Sequence, residues 1–229
     1  MPDLNRNQIA IIDYGMGNLF NVQRACASVG LRSVITADKD VITQAVGMIL
    51  PGVGAFGDAM NNLTKMDLVG VIKDHIELKK PFFGICLGMQ LLLTGSEEFG
   101  GHKGLDVVKG KVVKFNSMDK KNRKIKVPQV GWNRIFFNKI QPVPQRDSVL
   151  QNIPDGEYMY FVHSYYAVLE DSSFVFTKTN YENTEYCSAI SKELVFATQF
   201  HPEKSGLKGL RVFENWAQII SAHSELIRK

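Results

Sequence analysis

The chain has 229 residues, 45% hydrophobic and 22% charged, which excludes a disordered or membrane-embedded class and suits an ordinary folded one. Lys and Arg total 27 against 23 Asp and Glu, a net charge of +4 and too small an excess to indicate nucleic-acid binding. Cys26, Cys86 and Cys187 form no CxxC pair, which argues against a disulfide framework or a zinc site and for a reducing compartment. Residues 1–8 are polar without the apolar core of a signal peptide, and no apolar run reaches the roughly 20 residues of a membrane span. The expectation is a cytoplasmic protein with no metal or other cofactor and no membrane or nucleic-acid partner.

Residues 9–12 form a short β-branched run ended by Asp13-Tyr14-Gly15, which predicts a buried strand. From Asn18 the apolar spacing changes: Leu19, Val22, Cys26 and Val29 recur at helical steps, and Gly30 is a plausible stop. Val34-Ile35 opens a second strand, and residues 47–50 form a third, broken by Pro51-Gly52. Residues 68–78 are predicted helical, and 81–86 a strand ending in a turn. This rhythm implies an α/β fold with a mostly parallel sheet flanked by helices. Short strand-like pieces follow at 109–115, 134–137, 159–162, 165–168, 174–179 and 189–190, separated by Asn, Asp, Gly and Pro, which suggests an antiparallel or mixed extension. Residues 205–227 read as a helix burying Leu210, Phe213, Trp216, Ala217 and Ile220. No internal repeat or linker appears, so a single domain over residues 1–229 is expected, with the charge run 120–124 as a solvated loop.

Three segments carry chemistry. Gly84-Ile85-Cys86-Leu87-Gly88-Met89-Gln90 joins a strand to a helical stretch at 89–93. Its glycines permit a tight turn of the nucleophile-elbow type, with sulfur in place of a hydroxyl. The free N–H groups and dipole of the following helix favour thiolate, the reactive form. A structural cysteine beside packing glycines is the bland alternative. Phe200-His201-Pro202-Glu203 supplies a general base and an acceptor to orient it, since residues two apart on an extended segment share a face. His-x-Glu is weak alone and gains weight from the elbow. In Pro51-Gly52-Val53-Gly54-Ala55-Phe56, two glycines let backbone N–H groups approach a ligand. With the amide of Leu87 these donate to an oxyanion, unless the segment is an ordinary strand-end turn. The GxGxxG of dinucleotide sites is absent there.

These segments, in this order, resemble the class I (triad) glutamine amidotransferases. Residues 13–19 (Asp-Tyr-Gly-Met-Gly-Asn-Leu), 127–133 (Val-Pro-Gln-Val-Gly-Trp-Asn), 160–166 (Tyr-Phe-Val-His-Ser-Tyr-Tyr) and 201–206 (His-Pro-Glu-Lys-Ser-Gly) are similar to the glutaminase-subunit branch that serves imidazole glycerol phosphate synthase. The chain departs from that branch at Phe20-Asn21, where a basic residue and serine are usual, and in the more basic stretch 120–126.

The resemblance implies a Cys86–His201–Glu203 triad that hydrolyses glutamine. Gly52, Val53 and Leu87 would serve the oxyanion hole, and Gly54, Gln90, Ser164 and Tyr165 the glutamine site. Tyr14, Asn18 and Lys204 would border the interface with a (β/α)8-barrel synthase (cyclase) subunit. The expected assembly is a heterodimer to which ammonia is passed, forming imidazole glycerol phosphate and an aminoimidazole carboxamide ribotide in histidine biosynthesis. Alternatives are a cyclase-like partner that amidates a sugar for surface polysaccharide, a stand-alone cysteine hydrolase, and a silent binding subunit. His163 is a tempting second base, set against a histidine simply bonded within the sheet.

Overall fold

The structure, a computed structural model, describes residues 8–118, 124–139 and 148–227. The charge run expected as a solvated loop falls, but for Lys124, outside these residues. In chain order the elements are β1 (Ile9–Ile12), α1 (Leu19–Ser28), β2 (Ser33–Thr36), α2 (Lys39–Gln44), β3 (Gly47–Gly52), α3 (Phe56–Lys65), α4 (Val69–Glu77), β4 (Phe82–Cys86), α5 (Leu87–Leu91), β5 (Leu93–Ser96) and β6 (His102–Lys103). They continue as β7 (Val108–Lys114), β8 (Gln129–Phe137), β9 (Glu157–His163), β10 (Tyr165–Leu169), β11 (Val175–Tyr181), β12 (Thr184–Lys192), β13 (Val195–Thr198) and α6 (Gly206–Ile227), with short 3-10 turns at Glu98–Gly100, Ser172–Phe174 and Pro202–Lys204.

Five strands, in the order β2-β1-β3-β4-β13, are parallel. Their residues are apolar almost without alternation because both faces are covered. Ile9, Ile11, Ile49, Phe83 and Ile85 share a core with Val22 and Cys26 of α1 and Phe213 and Trp216 of α6. Ala10, Ile12, Met48, Leu50 and Phe82 share the opposite core with Ile42 of α2, Ala59 and Leu63 of α3, and Ile72 of α4. Beyond β13 the sheet turns antiparallel at β12 and continues through β10 and β7 to β5 and β6, while β11, β8 and β9 branch from β12. The α/β fold with a mixed extension is therefore the observed one.

Local signals explain several boundaries. Asn18 caps α1 by accepting from the Asn21 amide. Gly30, at φ +77°, closes the helix, and the Leu31 amide returns to the Cys26 carbonyl. In α6, Phe213, Trp216 and Ile220 are buried as expected, but Leu210 and Ala217 are only half-buried, and Val212 and Asn215 complete the buried stripe.

Three differences from expectation bear on the site. Strand β3 does not break at Pro51-Gly52, because Pro51 and Gly52 stay in register with Ile85 and Cys86. The helix after Cys86 is only α5, and the chain re-enters the sheet at Leu93. The carbonyls of Leu91 and Leu92 that would continue the helix accept instead from Leu105, Val107 and Val108. Helices α2 and α3 and strand β13 have no counterpart in the expected elements.

Candidate active site

The carboxyl ends of β1, β3, β4 and β13 lie along one edge of the parallel sheet, where α/β folds gather their ligands. Cys86 ends β4 with φ +54° and ψ −107°, a conformation costly for a residue with a Cβ and one held only when its surroundings enforce it. The flanking glycines are part of that enforcement. A Cβ on Gly88 would overlap the Leu50 carbonyl, and one on Gly84 would come within 3.0 Å of the Gly88 backbone. Cys86 is 6% exposed and lines a cleft of about 440 Å³. Because α5 has only five residues, its dipole is small, and its contribution is the free N–H groups of its first turn.

His201 and Glu203 come from the segment that follows β13. They do not lie on an extended strand: Glu203 sits in the 3-10 turn Pro202–Lys204, with His201 at its start. That turn still brings His201 Nδ1 within 2.8 Å of Glu203 Oε1, with both side chains buried. The backbone of His201 is pinned twice. Its amide donates to the Tyr160 carbonyl, and its carbonyl accepts from the Ser205 hydroxyl, which in turn accepts from the Tyr160 amide. Burial disfavours the charged ring, but the charge of Cys86 and the charge and hydrogen bond of Glu203 outweigh it and hold His201 protonated up to about 10. Nε2 of His201 is buried and has no partner of hydrogen-bonding geometry among the described residues, so its coupling to Cys86 is mainly electrostatic.

The expected oxyanion segment lies beside the elbow through the Gly52–Cys86 register. Val53, Gly54 and Leu87 line the cleft. Gly52 is buried behind it, where a Cβ would collide with the Tyr14 hydroxyl. Tyr14 corrects the interface expectation. It is completely buried and donates to the Pro51 carbonyl at 2.8 Å, so it braces β3 and presents nothing to a partner. Burial and the nearby Cys86 raise its phenol far above the usual range.

Gln90, Ser164 and Tyr165 also line the cleft. Gln90 commits its amide nitrogen to the Tyr165 carbonyl at 3.0 Å and to Gln199 Oε1 at 2.9 Å, so only its oxygen remains for a ligand. His163 has both ring nitrogens engaged, Nδ1 with the Tyr165 carbonyl and Nε2 with the Tyr186 hydroxyl. Burial pushes it down to about 4. It is a bonded sheet histidine rather than a second base. Glu98 was not singled out in the sequence. Its carboxylate accepts from the Phe56 amide at 2.7 Å and faces the same cleft.

Lys204 is exposed on the cleft rim, 5.8 Å from the centre of the Tyr160 ring. Asn18 is exposed and occupied as a helix cap. Strands β8 and β9 also present an apolar face that no local sequence pattern marks: Val130, Trp132 and Tyr158 are 51%, 55% and 47% exposed. Trp132 pairs across the strands with Tyr160, and Val130 with Val162, which lines the cleft. Among the described residues, no cluster of His, Cys, Asp or Glu has the makings of a metal site, and no helix is long and apolar enough to cross a membrane.

The family described as glutamine amidotransferase class-I matches residues 10–218. Two similar relatives are imidazole glycerol phosphate synthase subunits HisH. The one from Syntrophotalea carbinolica is 47% identical, covering 92% of this chain and 100% of the relative. The one from Aquifex aeolicus is 46% identical, covering 90% and 94%. Among solved structures, PurLQS from Thermotoga maritima matches with a TM-score of 0.68 at 18% identity, covering 95% of this chain and 99% of that one. The glutaminase domain of Trypanosoma brucei CTPS with bound acivicin matches at 0.62 and 15%, covering 94% of each chain. At these identities the two structures speak to the fold alone.

Proposed function

This chain belongs to the class-I glutamine amidotransferase family, and from that premise we propose that it is the glutaminase subunit of an imidazole glycerol phosphate synthase, supplying ammonia for histidine biosynthesis. The observation that carries the chemistry is the strained cysteine at the cleft beside a buried His–Glu pair whose proton Cys86 helps to hold. The HisH identity of the relatives favours this pathway over sugar amidation.

Cys86 Sγ attacks the side-chain carbonyl carbon of glutamine, and the oxyanion is held by N–H groups of Leu87 and the Gly52–Val53–Gly54 segment. The protonated His201 gives its proton to the departing nitrogen, which leaves as ammonia. The sulfur is then a thioester and carries no charge, so one of the influences that keeps His201 protonated is gone. The neutral ring takes a proton from water, the hydroxide attacks the thioester, and glutamate leaves as the Cys86–His201 pair is restored. Glu203 holds Nδ1 and stabilises the imidazolium in both halves. Glutamine enters as a zwitterion. The carboxylate of Glu98 and the free oxygen of Gln90 suit its ammonium, and Ser164 and Tyr165 line the same cleft beside them.

Ammonia protonates in bulk water, so the cleft must open into a partner. The exposed Trp132, Val130 and Tyr158, continuous with the rim at Val162 and Lys204, suit docking of a barrel subunit in a heterodimer better than they suit a stand-alone hydrolase. The test is Cys86→Ala in the full chain, alone and with its barrel partner. Glutamine hydrolysis is expected to fall on the order of a million-fold, while the complex still makes imidazole glycerol phosphate from added ammonium. Near wild-type glutamate release by the variant, or an amidated sugar as the product of the complex, defeats the respective half of the proposal.

A further inference from the structure

Gln199 lies immediately after β13, where the Thr198–Ile85 register sets it abreast of Cys86 and its amide is anchored on the Ser188 carbonyl at 2.9 Å. Its side chain is completely buried. Nε2 lies 3.5 Å from Cys86 Sγ, and Oε1 accepts from Gln90 Nε2, which also donates to the Tyr165 carbonyl. The direction of this chain is dictated by its far end. A backbone carbonyl only accepts, so Tyr165 draws the nitrogen of Gln90. The second N–H of that nitrogen then requires the oxygen of Gln199, and Gln199 is left with its nitrogen towards the sulfur.

The sulfur therefore meets a fixed donor. A second contact of the sulfur is with the Val162 carbonyl at 3.9 Å, an acceptor that only the protonated thiol can use. The two contacts select opposite states of the sulfur, and the shorter one selects the thiolate, because a hydrogen bond to the charged form favours it. Resting on the reading of Cys86 as the nucleophile, we propose that Gln199 is a positioning residue that donates to the Cys86 thiolate, keeps it ionised and aimed at the cleft, and ties its state to whatever engages Gln90. Gln199 acts without touching substrate. His201 supplies a positive charge near the same sulfur, whereas Gln199 supplies a directed dipole that is neutral and does not leave during turnover.

The test is the pH profile of Cys86 alkylation by iodoacetamide in the purified full-length chain, from about pH 5 to 9. The Cys86→Ala variant gives the background. That background is low because burial pushes the Cys26 and Cys187 thiols up to about 12. Gln199→Met removes the donor at similar length, and Gln199→Glu removes it while keeping an acceptor for Gln90. Both are expected to move the profile up by about one to two pH units, an alkylation about 10–100-fold slower below the midpoint. A merely structural role would lower the thermal midpoint and turnover but leave the profile in place. Profiles that superimpose on wild type overturn the inference. If neither variant folds, Gln90→Leu frees the same amide, and it must move the profile in the same direction by a smaller amount; an unmoved profile is again fatal. Retained glutaminase activity in Cys86→Ala would instead bring down the nucleophile assignment itself, whatever the profiles show.

Discussion

Replacing Glu203 by Gln keeps the size of the side chain and removes its charge. In the structure His201 is held protonated by two anionic neighbours, Cys86 and Glu203, and the Nδ1–Oε1 contact of 2.8 Å is buried on both sides. A charge-assisted hydrogen bond of this kind is worth about 1.5–3 kcal/mol, or about 10–150-fold in rate. That is well short of the ~10⁴ lost when the third member of a serine triad is neutralised. The smaller figure follows from the thiolate, which still supports the imidazolium during acylation. Once the thioester forms, that support disappears and Glu203 alone sustains the charge that His201 acquires from water. Hydrolysis of the thioester is therefore slowed more than its formation. The assay is rapid-quench measurement of ammonia and glutamate, with intact mass of the quenched chain. The expected result is a burst of about one equivalent of ammonia per site, a slow release of glutamate and a glutamyl adduct on Cys86. Turnover within threefold of wild type, or a slow variant with no accumulated adduct, would refute the reasoning.

Gly88→Ala is expected to destabilise the chain by about 1–3 kcal/mol or to prevent folding, because the added Cβ overlaps the Leu50 carbonyl. Gly70→Ala in α4 meets nothing and is expected to add about 0.5–1 kcal/mol; urea titrations that rank the two the other way would contradict the packing account. Stability is expected to peak near neutral pH. The His201 pKa is raised, so its stabilisation is complete below about 6.5 and is lost as pH rises through about 10. His75 and His163 are depressed to about 4 by burial, so their contribution is present above about 6.5 and lost as pH falls through about 4. A flat stability profile between those limits would show these protonation states to be misassigned. Trp132→Ala is expected to weaken binding of the barrel subunit by about 2–4 kcal/mol with an unchanged thermal midpoint. Calorimetric titration giving the wild-type affinity would remove the β8–β9 face from the interface.

The strained turn at Cys86, the His-x-Glu pair and the glycine-rich segment 52–54 beside the cleft were legible in the sequence because each is a local pattern. A cysteine between close-packed glycines after an apolar run, or a histidine two residues before a glutamate, needs no distant information to be noticed. The parallel strands β1, β3 and β4 were legible for the same reason, since burial on both faces leaves a contiguous apolar run. What decided the rest was pairing over long separations. Strand β13 is four residues long, too short to show a period, and its place beside β4 sets Gln199 against Cys86, 113 residues earlier in the chain. Glu98 reads as a surface acid until the Phe56 amide, 42 residues away, draws it to the cleft. Tyr14 belongs to a motif that borders the site, and only the tertiary packing shows its hydroxyl turned inward onto Pro51. Which residues face the cleft, which brace it from behind and which meet a partner depends on register and burial, and these are settled by contacts between segments that share no neighbourhood in the chain.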